Sequence, residues 1–171
     1  MLYLSLKQRY NEEVHLKVEM FLRTYGTSKP TRYTFSQVKK ITRCFKEKVG
    51  QGGFGTVYKG KLPNGVPVAV KMLENPVGDG EEFINEVATI GRIHHANIIH
   101  LLGFCSEGTR RVLIYEFMPN DSLEKYIFLP DHNNPQELLS PNKMLDIALG
   151  IARGMEYLHQ GCNQRILHFD I

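Results

Sequence analysis

The chain has 171 residues, 42% of them apolar and 23% charged, an ordinary globular composition that excludes a disordered chain and leaves room for about one domain. The net charge of +3 points to no nucleic-acid partner, and no run approaches the ~18 apolar residues of a membrane span. Three scattered cysteines, Cys44, Cys105 and Cys162, form neither a disulfide framework nor a zinc ligand set, which fits a reducing compartment.

The charge is unevenly spread. Residues 1–48 carry eleven Lys/Arg against four Asp/Glu, net +7; residues 49–171 carry ten against fourteen, net −4. A basic arm therefore precedes a mildly acidic body, suited either to an anionic membrane surface or to simple solvation. The first seven residues are too short for a signal peptide. Residues 1–30 show no clear period: Val14, Leu16, Val18 and Met20 alternate, Phe21 and Leu22 break the alternation, and Gly26 to Pro30 reads as a loop. Thr34-Phe35-Ser36-Gln37 matches a capping box and predicts a short helix over 35–44.

From Val49 the texture changes. Gly50-Gln51-Gly52-Gly53-Phe54-Gly55 is a glycine turn, Thr56 to Leu62 alternates as a strand, Pro63-Asn64-Gly65 is a hairpin turn, and Val66 to Met72 is the next strand. Phe83, Val87 and Ile90 form the apolar stripe of a helix over 80–93. Ile98 to Cys105 and Arg111 to Phe117 are further strands, with Arg110-Arg111 in a solvated hairpin turn. Pro119 to Ser122 is a turn or helix start, and Asp131 to Gln136 a polar loop. Ser140-Pro141 caps a helix running to about His159, with Gly161 placed to end it. That helix is apolar on nearly every face, which requires burial beyond what the dozen residues after it supply.

The glycine segment fits G-x-G-x-x-G-x-V. Its glycines open a strand rather than a helix, which rejects a dinucleotide fold. Gly55 to Lys61 nearly makes a Walker loop, but Leu62 stands where Ser or Thr must hold a metal. Glycines there let backbone N–H donors approach phosphates; taken alone, the segment equally fits a tight hairpin. Alternation puts Ala69 and Lys71 on one strand face, where the small Ala69 leaves room for a flat ring. Glu86 lies on or beside the apolar stripe of the following helix, and an inward carboxylate needs a cation, for which Lys71 is the natural candidate. His94, His95, His100 and Cys105 match no common metal spacing, and no metal ligand set is assigned.

Together these features resemble a protein kinase over residues 45–171: the glycine-rich loop Gly50–Val57, the Val68-Ala69-Val70-Lys71 strand, the helix glutamate Glu86 and the catalytic loop Ile166-Leu167-His168-Phe169-Asp170. The wording Lys29 to Phe35 and Ile166 to Asp170 is similar to plant receptor-like Ser/Thr kinases of the leaf-rust-resistance type. The resemblance implies an α+β, protein-kinase-like fold: a complete N-terminal lobe of antiparallel sheet plus one helix, and the first helices of a helical C-terminal lobe. It divides the chain into a juxtamembrane-like arm (1–44), the N-lobe and hinge (45–118) and the start of the C-lobe (119–171). It implies ATP, held by Val49, Gly50, Gln51, Gly52, Gly53, Phe54, Gly55, Val57, Ala69 and Lys71, with Tyr115 as gatekeeper and Glu116 to Met118 as the hinge. Asp170, Lys71 and Glu86 would be catalytic, Asp170 accepting the proton of a substrate hydroxyl. Phe169 stands where the usual loop has Arg, so pairing with a phosphorylated activation loop is not expected. The magnesium-binding Asn and Asp-Phe-Gly are not among the 171 residues; Mg2+ is expected in the full-length kinase, and this chain alone is expected to lack useful catalysis. The full-length protein would work at the cytoplasmic face of the plasma membrane in defence-type signalling. The alternative is a truncated, non-catalytic binding module or decoy, soluble in the cytoplasm.

Overall fold

A computed structural model describes residues 2–23, 29–52, 55–73, 79–120, 122–128, 139–162 and 166. The chain divides into two compact units, Met1–His94 with Ile99–Phe117, and His95–Ile98 with Met118–Ile171.

The first unit is built on a six-stranded sheet. Its strands are β1 (Thr31–Arg32), β2 (Lys48–Gly52), β3 (Gly55–Lys61), β4 (Pro67–Leu73), β5 (Leu101–Glu107) and β6 (Arg110–Glu116), in the order β1-β5-β6-β4-β3-β2. Three helices accompany them, α1 (Leu2–Arg23), α2 (Phe35–Ile41) and α3 (Asp79–Thr89), the last followed by a 3-10 turn, Ile90–Arg92. The expected antiparallel lobe is present, with two amendments. The two-residue β1 adds a parallel edge, Thr31 opposite Gly103. And α1, for which no helix was expected, joins the predicted α2 and α3 in this unit.

Strand alternation explains the layering. Val68 and Val70 of β4 share a face with Val112 and Ile114 of β6, and α2 covers that face with Phe35, Val38 and Ile41. The opposite face carries Leu73 and Leu113, which pack with Phe104, with Phe83, Ile84 and Val87 of α3, and with Val14 and Val18 of α1. Phe83 and Phe104 meet edge to face at 6.1 Å. α2 starts where the capping box predicts: Thr34 Oγ1 accepts from the Gln37 N–H at 3.2 Å, and the Thr34 N–H donates to Gln37 Oε1 at 2.7 Å. The Asn-Gly hairpin also forms, with Gly65 at φ 90° and the Leu62 N–H donating to Val66 O at 2.9 Å.

α1 is the main departure from the sequence reading, since no helix was expected over residues 1–30. Within a helix, alternation over 14–20 sorts residues by fours. Val14 and Val18 are 2% and 1% exposed, while Leu16 and Met20 are both 61% exposed on the far side. Arg111 is a second correction. Arg110 is exposed and lies over the Phe35 ring, but Arg111 is buried. Its guanidinium donates to Gly108 O at 2.8 Å and Arg110 O at 3.0 Å and sits 5.7 Å from the Phe83 ring centroid.

In the second unit, α4 (Leu123–Phe128) precedes α5 (Pro141–Glu156), which ends in a π-turn, Tyr157–Gly161. Ser140 caps α5, its Oγ accepting from the Lys143 N–H at 3.3 Å, with Pro141 in the first turn. Segment 95–98 lies against α5: a Cβ on Gly150 would sit 2.8 Å from Asn97 Nδ2, and His95 stacks on Tyr157 at 4.8 Å. Met144, Leu145, Leu149 and Ile151 remain exposed on α5, apolar surface that the sequence reading expected to lack cover.

Candidate functional site

The site predicted from sequence centres on β2, β3 and β4. β2 and β3 run antiparallel with Gly50 opposite Val57, Gln51 opposite Thr56 and Gly52 opposite Gly55. The register shifts between Lys48 and Gly50, so Val49, half exposed, is the extra residue of a bulge. Gly53 and Phe54 lie outside the described residues. The described glycines divide into two kinds. A Cβ on Gly50 or Gly52 would meet nothing within 4 Å, so the backbone there is open to an approaching group. Gly55 has φ +116°, and a Cβ would fall 2.0 Å from Met72 O. It is needed to close the hairpin onto β4.

Across β3, β4 and β6 the register sets Val57 opposite Lys71 and Lys71 opposite Leu113; Lys59 faces Ala69, and Ala69 faces Tyr115. Directly paired residues point to the same side of a sheet, as do residues two apart. Val57, Ala69, Lys71 and Tyr115 therefore share one face, and it is the face on which Leu113 packs with α3. Lys71 and Glu86 are both half-buried, and neither lacks a partner. Glu86 sits on α3 between the fully buried Phe83 and Val87. Tyr115 is half-buried against the same core. Lys59 is engaged elsewhere, 3.3 Å from Glu47 and 4.7 Å from the Phe117 ring centroid.

At the end of β6, Glu116 is tied to the start of β5. Its N–H donates to His100 O at 3.1 Å, and its carboxylate accepts the His100 N–H at 2.8 Å. Neither bond was foreseen from the sequence. Met118, half exposed, belongs to the second unit. Asp170 lies outside the described residues, as do His168 and Phe169; Ile166 donates its N–H to Leu158 O at 3.1 Å. The histidines do not converge: His94 meets His100 edge to face at 4.9 Å, while His95 turns to Tyr157. Among the described residues no group of three His, Cys, Asp or Glu is placed to hold a metal.

A family model described as protein tyrosine and serine/threonine kinase matches residues 44–171. The chain belongs to the protein kinase family. Its relatives include the rust resistance kinase Lr10 of Triticum aestivum, 82% identical over 170 residues, which cover 99% of this chain and 27% of that protein. They also include a leaf rust 10 disease-resistance locus receptor-like protein kinase-like protein (2.5) of Arabidopsis thaliana, 52% identical over 81% of this chain and 20% of its own length. Two solved pseudokinases share the fold. One, in its apo form, has a TM-score of 0.69 and 26% identity over 80% of this chain and 50% of that chain. The other, drought responsive inactive kinase 1 bound to ENMD-2076, has a TM-score of 0.70 and 25% identity over 79% and 52%. The kinase chain thus spans about a quarter of the wheat relative and about half of each solved pseudokinase chain. No helix among its described residues is long and apolar enough to cross a membrane.

Proposed function

We propose that this chain binds ATP on the α3-facing side of its sheet and, in the whole protein, serves a receptor-like Ser/Thr kinase that transfers the γ-phosphate to protein hydroxyls in defence-type signalling. The observation that carries the reading is the strand register. It aligns Val57, Ala69, Lys71 and Tyr115 on the face shared with α3 and Glu86, beside a glycine hairpin open at Gly50 and Gly52. In this reading the hairpin backbone covers the phosphates, Val57 and Ala69 line the adenine ring, and Lys71, held by Glu86, grips the α/β-phosphates. Glu116 to Met118 serve as the hinge in the same reading, the Glu116 N–H being committed to His100 O. Asp170 orients the substrate hydroxyl and takes its proton. Mg2+ neutralises charge in phosphoryl transfer; its Asn and Asp-Phe-Gly ligands are expected after Ile171 in the whole protein. The division into arm (1–44), N-lobe and hinge (45–118) and opening C-lobe (119–171) belongs to the same proposal. So does a place at the cytoplasmic face of the plasma membrane, with the basic residues of 1–48 toward the anionic leaflet.

The experiment is a titration of a fluorescent ATP analogue. Lys71→Met should weaken binding by about tenfold or more, the loss of one charged hydrogen bond; unchanged affinity contradicts the assignment. A second reading, a non-catalytic binding module or decoy, draws support from the two solved relatives, both pseudokinases. Phosphate transfer by the whole protein that is abolished by Asp170→Asn favours the enzyme; nucleotide binding without transfer favours the decoy.

A further inference from the structure

We propose that α1 is a positioning element of the nucleotide site, holding α3, and with it Glu86, against the sheet through Val14 and Val18. The proposal rests on the ATP-site reading above. α3 is the element on which α1 mainly packs. Val14 and Val18, 2% and 1% exposed, join one core with Phe83, Ile84 and Val87 of α3 and Leu113 of β6; Tyr10, one helical step earlier on the same stripe, packs against it. A second tie fixes α1 along its length: Glu19 forms an ion pair with Arg32 of β1, which is itself hydrogen-bonded to β5. α1 is thus tied to the sheet edge through Glu19 and packs on α3 through the core that Val14 and Val18 join.

The consequence follows from the size of α3. At eleven residues it is too short to be stable by itself, so its position is set by what packs on it. Glu86 lies between Phe83 and Val87, the two residues of α3 most deeply sunk in the core that α1 closes. Loosening α1 therefore frees the turn that carries Glu86, while Lys71, fixed in the central strand β4, stays in place. The chain ahead of the nucleotide lobe acquires a direct mechanical route to its key carboxylate. Any pull or modification that undocks α1 weakens nucleotide binding without touching the site.

The test is a thermodynamic cycle in the full chain, read with a fluorescent ATP analogue and with amide hydrogen exchange. V14A/V18A should speed exchange over residues 83–88 by about tenfold or more while β6 stays protected. It should weaken the analogue by about fivefold when Glu86 is present and by less than about twofold in an E86Q background, where α1 has no carboxylate left to position. L16A, on the exposed face, should change neither. Equal loss of affinity in both backgrounds overturns the proposal, because α1 would then act on the lobe as a whole; so does unchanged exchange in α3. If the double variant also loses β6 protection, V18A alone carries the cycle by the same criteria. E86Q that binds as tightly as the wild type overturns the role of Glu86, and the coupling with it; faster α3 exchange in V14A/V18A would still establish that α1 docks on α3.

Discussion

Gly55 and Gly52 stand opposite each other across one hairpin and are predicted to answer to different tests. Ala at Gly55 must adopt φ near +116° and drive its Cβ into Met72 O, a strain on the order of 3 kcal/mol that thermal unfolding would register. Ala at Gly52 meets open space and should shift stability by no more than about 1 kcal/mol. Thiol chemistry gives a second residue-scale prediction. Burial pushes the Cys105 thiol up to about 11, and Cys44 is exposed. At pH 8 Cys44 should react with an alkylating reagent while Cys105 stays unlabelled until the protein unfolds. The sign of the linkage is fixed: the folded state keeps the Cys105 proton at a pH where the unfolded chain has lost it. Its contribution to stability is therefore full below pH ~8.5 and declines as pH rises toward 11. The shared strand face of Ala69 and Lys71 was legible because strand side chains alternate strictly. The buried Arg111 was not, because its partners are the carbonyls of its own turn and a ring from α3.

At the scale of elements, local chemistry was readable wherever a side chain answers its own backbone. The Thr34–Gln37 box and the Ser140–Pro141 start both form, and Thr34→Ala should cost about 1 kcal/mol in thermal unfolding. Helix α1 has no such signature. Its core-facing positions, the half-buried Tyr10 and the buried Val14 and Val18, recur every fourth residue, but Leu16 and Met20, alternating with Val14 and Val18, imitate a strand. What fixes this segment as a helix is the apolar surface of α3, and tertiary packing of that kind leaves little trace in local spacing. The parallel edge strand β1 escaped for a related reason: two residues carry no period, and their pairing is with β5, some seventy residues on.

For the whole molecule, the sheet order brings the conspicuous sequence features of the first unit to one side of β3, β4 and β6. The second unit offers its own test. We propose that the exposed face of α5 is covered by further helical chain in the whole kinase. L145E/L149E should then reduce self-association of the 171-residue chain yet destabilise the whole protein by about 3 kcal/mol, because it would bury unpaired charge there. Improved behaviour in both would place that face at a free surface.

An acyl-phosphate ATP probe, which acylates the lysine beside its phosphates, reads whether nucleotide phosphates meet Lys71 on the α3-facing side of the sheet, with the modified residue located by peptide mass spectrometry. Acylation should fall on Lys71 and be suppressed by excess ATP. Labelling spread over Lys59, Lys61 and the other lysines, or labelling that ATP does not suppress, would contradict that placement.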